Sequence, residues 1–127
     1  MYVKTLVTLE ILSLLIILIA LPLIFRLVPP NYWYGFRIKA TVRNENIWYP
    51  VNEFFGWGMV ISSIISMVII YFLFKFQYIT PIIYMNISIA VLLIPQIITL
   101  LLTISYLGYV IEREKDNMNK MENGNNK

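Results

Sequence analysis

"ILSLLIILIALPLIF", residues 11–25, holds no charged side chain. With its flanks the run reaches the roughly 20 residues that a helix needs to cross about 30 Å of hydrocarbon. A secretory leader has a shorter apolar core, more leading cations than Lys4 and a small-x-small cleavage site, and none of these fits. The run therefore reads as a retained membrane helix over about residues 5–28. Pro22 should bend it, because it lacks an N–H and crowds the preceding turn.

Two more runs follow. "GWGMVISSIISMVIIYFLF", residues 56–74, predicts a second span over about 54–75. "PIIYMNISIAVLLIPQIITLLLTISYLGYV", residues 81–110, predicts a third over about 81–111, with Thr80 as N-cap and Pro81 in the first turn. That run exceeds the hydrocarbon thickness and is expected to tilt or bend at Pro95. The fold class is thus all-α: an integral membrane protein with three transmembrane helices.

Composition agrees with the pattern. The chain has 127 residues, 59% hydrophobic and only 13% charged, against about 25% charged in ordinary soluble domains. Cysteine and histidine are absent, which removes disulfides, thiol nucleophiles, thiolate or imidazole metal sites and histidine acid–base chemistry. No cofactor, no metal and no direct contact with nucleic acid is expected. The chain reads as non-enzymatic.

Lysine and arginine set the orientation. The N-terminus and the 75–81 connection carry Lys4 and Lys75. The 26–55 connection carries Arg26, Arg37, Lys39 and Arg43, and the tail carries Arg113, Lys115, Lys120 and Lys127. This bias predicts the N-terminus outside the cell and the first loop and C-terminus in the cytoplasm. Residues 1–111 then form the membrane domain. The tail "EREKDNMNKMENGNNK", residues 112–127, lacks apolar periodicity and is expected to be a disordered polar segment beyond its first turn or two.

Small and polar residues recur inside the spans. Gly58, Ser62 and Ser66 stand four apart on one helix face, a stripe that lets backbones approach closely in lipid, within the bundle or in a homo-oligomer. Gln96, Thr99 and Thr103 make a polar stripe on the third span. Such groups mostly bond neighbouring helices or carbonyls freed by a proline.

The connection "PPNYWYGFRIKATVRNENIWYPVNEFFG", residues 29–56, raises the functional question. Tyr32, Trp33, Tyr34, Trp48, Tyr49 and Trp57 fit an aromatic belt at the headgroups, and Arg37, Lys39 and Arg43 fit anionic membrane lipids. Arrangement asks for more. Pro29 and Pro30 stop the first helix, Asn31 can bond its own turn, and Gly35 frees the backbone two residues before Arg37. Asn44, Trp48, Asn52 and Gly56 would share one face of a helix that Pro50 bends or starts. Arg37 is expected to meet Asn44, Glu45 or Asn52.

This stretch resembles the signature of the SdpI family of small bacterial membrane proteins. Pro29, Asn31, Trp33, Tyr34, Gly35 and Arg37 match its first half; Asn44, Glu45, Trp48, Asn52 and Gly56 match its second, with the spacing kept. Ile38 departs from the family's usual threonine or serine, Pro50 interrupts a segment that often looks helical, and long members have additional helices. The resemblance implies a protein of the cell membrane that recognises a membrane-active peptide toxin or a cytoplasmic transcriptional regulator. The implied binding residues are Asn31, Trp33, Gly35, Arg37, Asn44, Glu45, Trp48, Asn52 and Gly56. Two alternatives stand beside it: an accessory subunit of a larger membrane complex, and a lipid-interface enzyme or transporter using Glu45 or Glu53 with Arg37.

Overall fold

The computed structural model describes residues 1–75 and 79–125. Part of the 75–81 connection, and Lys127 of the charge count, lie outside the described residues. Four helices appear among those described: α1 (Tyr2–Ile24), the single turn α2 (Lys39–Val42), α3 (Glu45–Lys75) and α4 (Pro81–Asn125). α1, α3 and α4 are each long and apolar enough to cross a membrane. The central helix is α3, which packs along both α1 and α4, while α1 and α4 touch each other less.

The side-chain distribution is that of a chain folded in lipid. Leucine and isoleucine face outward, among them Leu14, Leu15, Leu18, Ile64, Ile65, Ile97 and Leu101. The interior holds hydroxyls: Ser13, Ser62, Ser63, Ser66, Ser88, Thr99 and Thr103 are all buried. Lipid tails are as apolar as leucine, so nothing drives leucine inward. Close packing and interhelical hydrogen bonds drive small and polar groups inward instead.

The α3–α4 seam shows how. Pro95 sits inside α4 and cannot donate to the Val91 carbonyl one turn back. Ser66 Oγ, from α3, donates to that carbonyl at 2.8 Å. One turn away, Gln96 Nε2 donates to Ser63 Oγ at 3.0 Å. Gly58 lies against Thr99, whose methyl a Cβ at position 58 would meet at 2.5 Å. Ser62 turns its hydroxyl to Met59 O of its own helix, 3.2 Å away. The stripe of small residues thus packs inside the bundle.

Three boundaries differ from the sequence expectation. α1 ends at Ile24, not near residue 28, in a Schellman turn: Arg26 N–H donates to Leu23 O (3.2 Å) and Leu27 N–H to Pro22 O (2.9 Å), with Arg26 at φ +55°. Glycine normally holds that position, so the stop signal that the sequence does carry, Pro29 and Pro30, comes later than the observed end. α3 begins at Glu45, five residues before Pro50 and nine before the expected start. Asn44 makes this start: its side-chain Oδ1 accepts from Asn46 N–H at 2.9 Å, and its carbonyl accepts from Trp48 N–H at 2.8 Å.

The third difference is the tail. α4 runs on to Asn125 rather than ending near 111. A helix already nucleated in the membrane extends without a second nucleation cost. The extension contains no proline, and Asp116 precedes Lys120 by the favourable four residues. Asn46 also holds it, donating from Nδ2 to Glu114 Oε1 at 2.6 Å.

Candidate functional site

Between α1 and α3 the chain is irregular, and buried backbone polar groups there need partners. The signature residues supply them. Asn31 folds the first turn: Nδ2 donates to Pro29 O at 2.8 Å, while Oδ1 accepts from the N–H groups of Trp33 and Tyr34, both at 2.8 Å. The Tyr34 phenol then donates to Ile19 O, stitching the turn to α1. Burial pushes the phenol above its usual pKa, which keeps it a neutral donor.

Gly35 follows at φ +93°, in the region that favours glycine. The space is as restrictive as the dihedral, because a Cβ there would overlap Asn52 Oδ1. Asn52, 1% exposed, is the buried hub of the loop. It accepts from Phe36 N–H at 2.6 Å and donates to Trp48 O at 3.1 Å and, more weakly, to Phe36 O at 3.4 Å. Trp48 is fully buried and donates from its indole to Val28 O at 2.7 Å. Its place is the core, not the headgroup belt. Gly56 completes the face by closing the gap to α1: a Cβ there would press on Ile24 at 2.9 Å and on the Ala20 carbonyl at 3.1 Å.

Trp48, Asn52 and Gly56 therefore share one face of α3, turned to the loop and to α1, whereas Asn44 stands before the helix and caps its first turn. Arg37 is not part of that face. Its guanidinium donates to Tyr32 O at 2.6 Å, back across the turn, and the expected meeting with Asn44, Glu45 or Asn52 does not form. Gly35 directs Arg37 outward, while the backbone of Phe36 takes Asn52. Glu53 pairs with Arg26 instead, at 2.7 Å and 2.8 Å. Glu45 is exposed and lines an open cleft of about 720 Å³ between the start of α3 and the extension of α4.

Two contributors carry no obvious mark in the sequence. Arg26, as the left-handed cap of α1, is held by the Glu53 carboxylate 27 positions away. Thr41 serves α2: Ile38 occupies the N-cap, where its side chain cannot cap, and Thr41 Oγ1 accepts from Ile38 N–H at 3.0 Å. That hydroxyl also donates to Phe36 O at 3.0 Å. A hydroxyl three residues past an apolar N-cap was the available signal. Among the described residues no cluster of acidic side chains could hold a metal.

The result is a scaffold with a presented edge. With their bonds made inward, the signature polar groups hold Tyr32, Trp33 and Arg37 outward, and Trp33 is 89% exposed. Beside Arg37 runs an open apolar groove of about 520 Å³, lined by Phe36, Ile38, Phe55, Leu100, Ile104 and Leu107.

Three apolar spans and an ordered polar loop define a multi-pass, all-α membrane protein. Comparison with protein families shows which kind: residues 26–107, 82 of the 127, match the SdpI/YfhL protein family, and the chain belongs to it. Neither the curated proteins nor the solved structures contain a match.

Proposed function

We propose that this protein is a non-enzymatic recognition protein of the cell membrane, and that the edge formed by Tyr32, Trp33 and Arg37 binds a membrane-active peptide toxin or a cytoplasmic regulator. The supporting observation is the division of labour in the signature. Its amides, its buried indole and its glycines hold the loop, whereas Trp33 is left facing out and Arg37 lines an apolar groove. An aromatic anchor beside a planar, fixed cation is a common recognition pair. The lysine and arginine bias supports a cytoplasmic side for this edge.

The experiment uses the deletion phenotype, sought by exposing cells to secreted peptides of related strains. Trp33→Ala and Arg37→Gln should each lose the phenotype at normal membrane abundance, measured with a C-terminal tag. Full activity in both variants would sink the proposal. A reporter fused after the last residue tests the side: a cytoplasmic signal is expected, and an external one would move the edge outside.

A second reading, an accessory subunit, draws on the open cleft beside the α4 extension, where Glu45, Arg113 and Lys120 stand among apolar residues such as Val110 and Met121. Recovery of one stoichiometric larger membrane protein in mild detergent would favour it.

A further inference from the structure

Because α1 and α4 touch each other little, part of α3 stays uncovered between them. Phe55 and Met59 lie there half-buried, as the floor of a groove. Its deep part, about 370 Å³, has Ile16 of α1 on one side and Leu93, Ile97 and Leu100 of α4 on the other. Phe55 and Leu100 also line the groove of about 520 Å³ beside the loop, so the two stretches join. From Leu93 to Leu107 the joined groove follows α4 for about 21 Å at the helical rise. One leaflet supplies about 15 Å of hydrocarbon, half of the bilayer core. The groove therefore leads from headgroup level at the loop to about the middle of the membrane.

The walls limit what can lie there. The one polar side chain of the deep part, Gln96, has its amide nitrogen bonded to Ser63 Oγ at 3.0 Å. An extended peptide would leave its backbone groups without partners against the remaining hydrocarbon. A peptide helix satisfies its own backbone but needs about 30 Å to cross, and the groove ends near the midplane. An acyl chain has no polar group and is one leaflet long. At the mouth the chemistry changes, because Arg37 is the one charged side chain lining either stretch. The Tyr32 carbonyl steadies its guanidinium at 2.6 Å and leaves other N–H groups for a ligand. Among the described residues the only ion pair is Arg26–Glu53, so Arg37 has no carboxylate partner. Lys39, exposed two residues on, adds positive charge, and no acidic side chain lines the groove to receive the amine of a zwitterionic headgroup.

We propose that the groove binds one phospholipid with a net negative headgroup: an acyl chain lies along Phe55 and Met59, and the guanidinium of Arg37 holds the phosphate. The planar fork of arginine matches pairs of phosphate oxygens. A general attraction of the loop's cations to anionic lipid needs no groove and does not single out Arg37. The lipid site does not rest on the recognition edge, although Arg37 belongs to both, because its readout involves neither toxin nor regulator.

The test is native mass spectrometry of the full chain, purified in mild detergent and titrated with phosphatidylglycerol or phosphatidylcholine of equal chain length. One phosphatidylglycerol per chain is expected, bound about tenfold more tightly than phosphatidylcholine, the scale of a hydrogen bond to a charged group. Arg37→Gln should remove the preference and Arg43→Gln should keep it. Leu100→Trp, where the two stretches join, should weaken binding of both lipids with helical content unchanged. Should that variant fold poorly, Ile104→Trp, at a position 51% exposed, takes its place. Equal binding of the two lipids, equal loss in Arg37→Gln and Arg43→Gln, or full affinity in the tryptophan variant overturns the proposal. Displacement of the lipid by inorganic phosphate alone would overturn it as well, by showing a phosphate site without a chain. A chain that purifies with a second polypeptide and no lipid would assign the groove to a protein partner instead.

Discussion

At the signature end Asn52 closes onto the Phe36 backbone, whereas in mid-membrane Ser66 reaches from α3 to the Val91 carbonyl that Pro95 leaves bare. Both side chains satisfy a main-chain group that regular structure cannot serve. The surroundings differ. The loop has no ladder of its own, so Asn52 serves two separate backbone segments and Gly35 has no room to move away. The seam is a helix with one carbonyl missing its partner, and lipid-facing packing carries the rest. A polar residue that organises an irregular segment should therefore matter more than one that patches a regular helix.

Gly35→Ala should show the largest effect, because it combines a forbidden dihedral with an overlap on Asn52. A loss of about 3 kcal/mol or more is expected in the thermal or denaturant unfolding of detergent-solubilised protein. Gly108→Ala is the control: no atom lies within 4 Å of the added methyl, and little change is expected. Equal effects at the two positions would break the comparison at once.

Asn52→Ala comes next. It leaves the buried Phe36 N–H without its acceptor, a cost of about 2 kcal/mol. Limited proteolysis should then cut between residues 29 and 44 while the spans stay protected. Cleavage spread evenly over the chain would show that the loop and the bundle melt together.

Arg26 sharpens the comparison through the backbone alone. Arg26→Gly and Arg26→Ala both lose the Glu53 pair, but only alanine keeps the left-handed strain at φ +55°. The glycine variant should be more stable than the alanine variant by about 1 kcal/mol. Equal stability would mean that the turn relaxes once the ion pair is gone.

The smallest expected effect lies in the seam. Ser66→Ala should cost about 0.6 kcal/mol, the usual scale for polar contacts between membrane helices. Ser62→Ala, whose hydroxyl serves its own helix, should cost less. If Ser66→Ala matches Asn52→Ala, position in lipid rather than loop organisation sets the importance of these groups.

What the sequence by itself determined is the layer of organisation that depends on local chemistry. Uninterrupted apolar runs require spans, because a backbone in hydrocarbon must bond internally. The four-residue spacing of Trp48, Asn52 and Gly56 puts them on one face once the segment is helical, and Asn31 in a proline-rich stretch favours a turn. Only the tertiary structure decided which groups meet. Arg37 turns away from the amides because the Gly35 dihedral aims it outward, and no residue count reveals that dihedral. Arg26 caps α1 in a glycine's place because Glu53, far along the chain, is there to hold it. The tail is helical because a helix begun in the membrane extends cheaply into water and Asn46 catches it.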